Sequence, residues 1–237
     1  MPQSLTGSQH IAQRPYITRS VAAGALLLTA TLLEILVMAH HPSGHAPDIA
    51  AAVQQILQLG KLSAWVHGVA LAAMLCIAYG LLEFTLRRGA LRPWMRAGSI
   101  AYGAGVLVMM GASLVSGFIL PGLVASTPHG SATDLAINAQ LMILCRELNQ
   151  SCANVATVAI SAGICCWSVD FLRERGLLRV LGLLGLIVGI LPAAALISGS
   201  LHLDVQGMSE VVWLQSVWNC AIAIVLIRRA NIQAHTA

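Results

Sequence analysis

Long apolar segments separated by short polar ones run along almost the whole chain. The apolar segments cover roughly residues 18–40, 62–86, 97–121, 146–170, 178–200 and 210–229. Each has about the 20 mainly apolar residues that a helix needs to cross the hydrocarbon core of a bilayer. In lipid, helices satisfy their own backbone hydrogen bonds. The pattern therefore predicts an all-α fold, a polytopic membrane helix bundle with six transmembrane helices.

The composition excludes an ordinary water-soluble domain. Of the 237 residues, 57% are hydrophobic and only 9% are charged, whereas soluble domains carry about 25% charged residues. The lipid bilayer is therefore the predicted surroundings of the chain. We expect a polar tail at residues 1–16, one six-helix transmembrane domain at 17–230 and a second tail at 231–237.

Arginines mark alternate connections between the predicted helices. They lie before the first span, between the second and third, between the fourth and fifth, and after the sixth: Arg14, Arg19, Arg87, Arg88, Arg92, Arg96, Arg173, Arg175, Arg179, Arg228 and Arg229. The opposite connections hold mainly acidic residues. By the positive-inside rule this pattern places both termini in the cytoplasm. The basic residues are thus topology signals, and we expect no nucleic-acid partner.

Six of the eight histidines fall at the end of the bundle opposite the arginines. They are His40, His41, His45, His67, His129 and His202, and three of them lie in the short stretch "HHPSGHAP". Imidazole nitrogens are good ligands for zinc, copper, iron and nickel. The histidines His41, His45, His67 and His202 are therefore the candidate metal ligands.

Carboxylate and amide side chains occur at a similar depth. Glu34 precedes His41 by seven residues and so lies on nearly the same helix face. Charged groups within a bilayer are costly and normally face the interior of the bundle. We therefore expect an outward-facing pocket, open at the histidine end, in which carboxylates and amides join the histidines: Glu34, Glu147, Gln150, Asn154 and Asn219.

Three interpretations of this pocket remain open. In the first, a protein without enzymatic activity binds a transition metal, copper or zinc, or another small polar ligand. In the second, a membrane enzyme or redox subunit uses the pocket for proton or metal chemistry. In the third, Arg146 or His67 pairs with Glu34 or Glu147, and the protein is a structural subunit with a membrane-protein partner. Haem is not expected, because only His67 lies clearly within a span.

Local signals predict several details of the helices. Asp48 is placed to cap the second helix, and Thr133 or Asp134 the fourth. Glu83 and Arg87 are spaced for an ion pair on one helix face. Trp65, Trp94, Trp213 and Tyr102 near the span ends are typical of residues that anchor helices at a membrane interface.

The strings "AHHPSGHAPD", "VHGVAL", "CRELNQSCA" and "GLLRVLGLLGLIVGILPAA" resemble small bacterial six-helix inner-membrane proteins that carry a domain of unknown function. The resemblance covers most of the chain. It implies a six-helix bundle in a bacterial inner membrane. It implies no activity and no site residues.

Overall fold

The protein is a helical bundle with six helices long and apolar enough to cross a membrane. A computed structural model describes residues 7–41, 46–128 and 130–235. The predicted fold class is confirmed, and the chain is that of an integral, multi-pass membrane protein. The helices are α1 (Gly7–Ala39), α2 (Ile49–Gly89), α3 (Pro93–Leu114), α4 (Leu120–Ser126), α5 (Ala132–Leu172), α6 (Leu177–Ile197) and α7 (Val205–His235). A π-helical turn, Val115–Ile119, joins α3 to α4.

The caps explain where the two longest helices begin. The Asp48 side chain accepts a hydrogen bond of 2.8 Å from the backbone N–H of Ala51, as predicted. At the start of α5 the prediction is wrong by two or three residues, since Ser131 is the N-cap. Ser131 and Asp134 form a reciprocal capping box, so Asp134 contributes from inside the first turn. Such a pair satisfies two N–H groups that the helix itself leaves without acceptors.

Two helices are much longer than a bilayer is thick. α2 and α5 have 41 residues each, and a helix of that size is about 62 Å long. The hydrocarbon core is about 30 Å thick. α2 and α5 are thus each long enough to extend about 30 Å beyond the hydrocarbon core.

The long helices pack as a closed ring. α1 packs against α2, α2 against α3, α3 against α5, α5 against α6, α6 against α7, and α7 against α1. Aromatic side chains fill the centre, where the rings of Trp167 and Trp218 stack with centroids 5.7 Å apart. The inward faces of the helices are therefore mainly apolar, and any polar side chain on those faces lies inside the bundle.

Glycines allow the closest helix contacts. A Cβ atom at Gly105 in α3 would lie 2.8 Å from the backbone nitrogen of Ile160 in α5. Close approach through small residues is a general means of packing helices in lipid.

An ionic cluster closes the arginine end between α2, α3 and α5. Arg88 lies 2.7 Å from Glu174 and 3.6 Å from Asp170, and Arg92 lies 3.0 Å from Asp170 and 3.3 Å from Glu174. The predicted pair of Glu83 and Arg87 is also present. The cluster ties the α2–α3 turn to the end of α5.

The cluster makes stability depend on pH. Hydrogen bonds from Arg88 and Arg92 hold the pKa of Glu174 below its ordinary value of 4.5. A carboxyl whose pKa is lowered on folding stabilises the fold above its unfolded pKa, and this contribution is lost as the pH falls through the folded pKa. We expect the melting temperature of wild-type protein to exceed that of Glu174→Gln at pH 7, with the gap narrowing below about pH 4.5. A gap that is the same at pH 7 and pH 3 would contradict this assignment.

Candidate functional site

The structure brings His41 and His67 together at the histidine end. Their Nε2 atoms are 3.4 Å apart, and their rings meet edge to face with centroids 5.0 Å apart. His41 follows Arg19 by 22 residues and His67 precedes Arg87 by 20. At 1.5 Å per residue these spacings are about 33 and 30 Å. Both histidines therefore lie near the border of the hydrocarbon core, on the side away from the arginines.

The backbone of α2 fixes the orientation of His67. Its Nδ1 lies 2.8 Å from the carbonyl oxygen of Ser63, one turn earlier. Because a carbonyl only accepts, Nδ1 carries the proton and donates it in this bond. The neutral ring then has its lone pair on Nε2, the atom that faces His41. A hydrogen bond to a backbone carbonyl is the usual way in which proteins orient a metal-binding imidazole.

The π-helical turn after α3 makes room for this ring. Gly117, in the middle of the turn, lies directly against His67, and a Cβ atom there would come within 2.6 Å of its Cγ. The neighbouring Ser116 carbonyl accepts a bond of 3.4 Å from the Ser63 hydroxyl. π-Helical turns occur frequently at functional sites. Here the turn and the glycine let α3 approach the histidine pair closely.

The distance between the two Nε2 atoms suits a shared cation. At 3.4 Å it exceeds the roughly 2.7–3.2 Å usual for hydrogen bonds donated by N–H groups. A zinc ion at about 2.0–2.1 Å from both nitrogens would make an N–Zn–N angle of about 110°, close to tetrahedral. The two nitrogen atoms are thus spaced as two imidazole ligands of one tetrahedral metal ion would be.

The other predicted metal ligands do not add to this pair in the described part of the chain. His202 is exposed in the connection before α7. His45 lies outside the described residues. Within residues 7–41, 46–128 and 130–235, no three histidine, cysteine, aspartate or glutamate side chains come together as a metal-binding group. The described residues therefore supply two ligands.

The predicted carboxylates and amides are distributed over separate places. Glu147 is exposed on α5. Gln150 donates a hydrogen bond of 3.2 Å to the side-chain oxygen of Asn154, so these two amides pair with each other. Asn219 is buried in α7, and Glu34 is half-buried in α1. The burial of these side chains thus separates Asn219, inside the bundle, from Glu147 on its surface.

Three residues have structural roles around the histidine pair or in the bundle interior that the sequence does not predict: Ser63, Gly117 and Tyr102. Ser63 precedes His67 by one helical turn, which is a readable signal for a backbone bond to the ring. Gly117 has no signal beyond its small size. The position of Tyr102 near a span end predicts an interfacial anchor, yet the residue is only 6% exposed and lies nine residues inside α3. Its hydroxyl group therefore belongs to the bundle interior, whereas Trp65, Trp94 and Trp213 are exposed as expected.

The chain matches no protein-family model, no curated protein and no solved structure. The functional argument therefore rests on the geometry of the chain itself.

Proposed function

We propose that this protein binds a transition metal ion, zinc or copper, between His41 and His67 at the outer face of a membrane. The observation that carries the proposal is the Nε2–Nε2 distance of 3.4 Å together with the Nδ1 bond that turns the His67 lone pair toward His41. Two neutral imidazoles with facing nitrogen atoms suit these borderline metals better than calcium or magnesium, which prefer oxygen ligands.

Sidedness supports an extracytoplasmic site. The arginines Arg87, Arg88, Arg92 and Arg96 lie at one end of the bundle and the histidine pair at the other, about 30 Å away along the helices. Positively charged connections favour the cytoplasm. The metal site then faces the outside, and the resemblance described above suggests that the membrane is a bacterial inner membrane.

The two imidazoles of His41 and His67 are fewer than the four protein ligands of a closed structural zinc site. Structural zinc sites are filled by four protein ligands, whereas sites with open positions bind water or substrate there. The remaining positions in this site are available to water or to the segment that follows His41, which includes the predicted ligand His45. We infer a role in receiving or holding a metal at the membrane surface.

Metal titration of the purified protein tests the proposal. After treatment with a chelator, wild-type protein in detergent should take up one Zn²⁺ or Cu²⁺ ion per chain. His41→Ala and His67→Ala should each weaken binding by at least about 100-fold, because each removes one of two direct ligands and effects of 10–100-fold are typical even for residues behind the ligands. His45→Ala tests the third predicted ligand.

His202→Ala is the matched control, since it removes an exposed imidazole at the same end of the bundle. It should leave the affinity unchanged. Cobalt(II) offers a second readout, because its visible spectrum distinguishes tetrahedral from octahedral coordination. If wild-type protein binds no more metal than His67→Ala, the pair is a structural contact and the proposal fails.

A further inference from the structure

Arginines outnumber carboxylates at the arginine end of the bundle. Residues 83–96 and 170–179 contain seven arginines and three carboxylates. The pair of Glu83 and Arg87 and the ionic cluster between α2, α3 and α5 together use all three carboxylates and three of the arginines. The other four arginines are exposed, and their side chains make no hydrogen bond or ion pair within the described residues. They are Arg96, Arg173, Arg175 and Arg179.

The ionic cluster brings these four arginines to one place. Arg92 lies 3.3 Å from Glu174, so the α2–α3 turn contacts the connection between α5 and α6. Arg96 lies one helical turn after Arg92, and its backbone N–H bonds to the Arg92 carbonyl at 3.0 Å. Arg173 and Arg175 are the sequence neighbours of Glu174, and the remaining arginine lies in the first turn of α6. The four residues therefore share one surface of the bundle, the basic surface.

Large apolar side chains are exposed on the same two connections. Leu91, in the α2–α3 turn, is 90% exposed. Trp94, at the start of α3, and Leu177 and Val180, at the start of α6, are exposed as well. Tryptophan is typical of the membrane interface, where its ring can contact both headgroups and hydrocarbon. The basic surface therefore suits a molecule that joins an anionic group to a hydrocarbon part.

We propose that the basic surface binds the headgroup of an anionic phospholipid. The guanidinium group is planar, and its fork of N–H donors matches the oxygen atoms of a phosphate. Basic residues at the cytoplasmic side of a helical bundle are suited to anionic headgroups for this reason. A dissolved phosphate ion would neutralise the arginines but leave the apolar side chains in water, whereas a phospholipid covers both. The basic surface shares no residue with the histidine pair, so the proposal is independent of metal binding.

Native mass spectrometry of lipid binding tests the proposal. Wild-type protein in detergent should bind phosphatidylglycerol at least about 20-fold more tightly than phosphatidylcholine. Each basic residue near a headgroup contributes about 1 kcal/mol, a factor of about five, and we expect at least two arginines to act together. Arg96→Gln and Arg175→Gln should therefore each reduce the preference about fivefold.

Arg146→Gln is the matched control. Arg146 is also exposed and makes no ion pair with a described residue, but it lies at the opposite end of the bundle. This variant should keep the wild-type preference for phosphatidylglycerol. An excess of inorganic phosphate or of a polyglutamate peptide should not displace the lipid. Displacement by either would overturn the proposal, because the basic surface would then bind phosphate in general or an acidic protein segment.

A second measurement needs no variant and so remains valid if an arginine variant does not fold. Photoactivatable phosphatidylglycerol should label residues 91–96 or 173–180 of the wild-type protein, as read by mass spectrometry of the labelled peptides. Phosphatidylcholine with the same reactive group should label these segments much less. Equal labelling by the two lipids would overturn the proposal. So would a loss of preference in Arg146→Gln as large as that in Arg175→Gln.

Discussion

Replacing Asp170 with asparagine is expected to lower the free energy of unfolding by about 1–3 kcal/mol, because a buried carboxylate loses its charge-assisted hydrogen bond and Arg88 loses a charged neighbour. The Asp170 side chain is 5% exposed and receives Arg92 at 3.0 Å and Arg88 at 3.6 Å. Without its charge, Arg88, whose side chain is 10% exposed, keeps the more exposed Glu174 as its carboxylate partner. Thermal melting or steric trapping in detergent micelles measures the loss.

Glu174→Gln is the matched control because it removes the second carboxylate of the same cluster. The Glu174 side chain is 33% exposed, and ion pairs in contact with solvent typically contribute 1 kcal/mol or less, roughly. We therefore expect a much smaller loss of stability for this variant. If the two substitutions cost the same, burial of Asp170 does not determine the strength of the cluster.

The ionic cluster also illustrates what hydropathy and spacing can and cannot predict. The pair of Glu83 and Arg87 follows from a spacing of four residues in one helix, and it is confirmed. Arg92 and Asp170 are 78 residues apart in sequence. They meet only because α3 packs against α5, and no local pattern encodes that neighbour. The sequence therefore predicts that the arginines mark the topology, but it does not predict the carboxylates with which they pair.

For the histidine pair, the sequence predicts the shared depth of the two residues but not the contact between their side chains. Counting residues from the arginines places His41 and His67 at one depth, since helices rise by a constant 1.5 Å per residue. Their side chains are 26 residues apart in sequence, and depth alone does not decide whether they face each other. That depends on the packing of α2 against the π-helical turn and on the missing side chain at Gly117, which only the folded structure reveals.

For the carboxylates and amides, the sequence predicts more convergence than the structure has. A spacing of seven predicts that Glu34 and His41 share a helix face, but α1 ends at Ala39, two residues before His41. The spacing also suggests a single pocket, whereas the described contacts are spread over places at different depths. Gln150 and Asn154 satisfy each other within α5, whereas Asn219 is buried in α7. Polar side chains in a bundle pair with the nearest suitable group. Sequence spacing therefore predicts the helix face on which a side chain lies, but it does not predict which side chains of different helices meet.

Gly117→Ala is expected to abolish high-affinity metal binding without touching a ligand. The new Cβ atom would lie within 2.6 Å of His67 Cγ, near the root of that side chain, so rotation of the ring cannot relieve the overlap. α2 and the π-helical turn must separate, and His67 Nε2 moves away from His41. Overpacking of this kind costs about 1–3 kcal/mol of stability, and we expect the affinity for Zn²⁺ to fall at least about 100-fold, as in His67→Ala.

Gly111→Ala is the control that isolates the clash. It makes the same change in the same span, where a Cβ atom would meet nothing within 4 Å, and alanine is the better helix former by about 1 kcal/mol. It should bind Zn²⁺ like the wild type and melt at the same or a higher temperature. A Gly117→Ala protein that melts cooperatively and retains wild-type affinity would mean that the position of His67 against the π-helical turn does not govern the site.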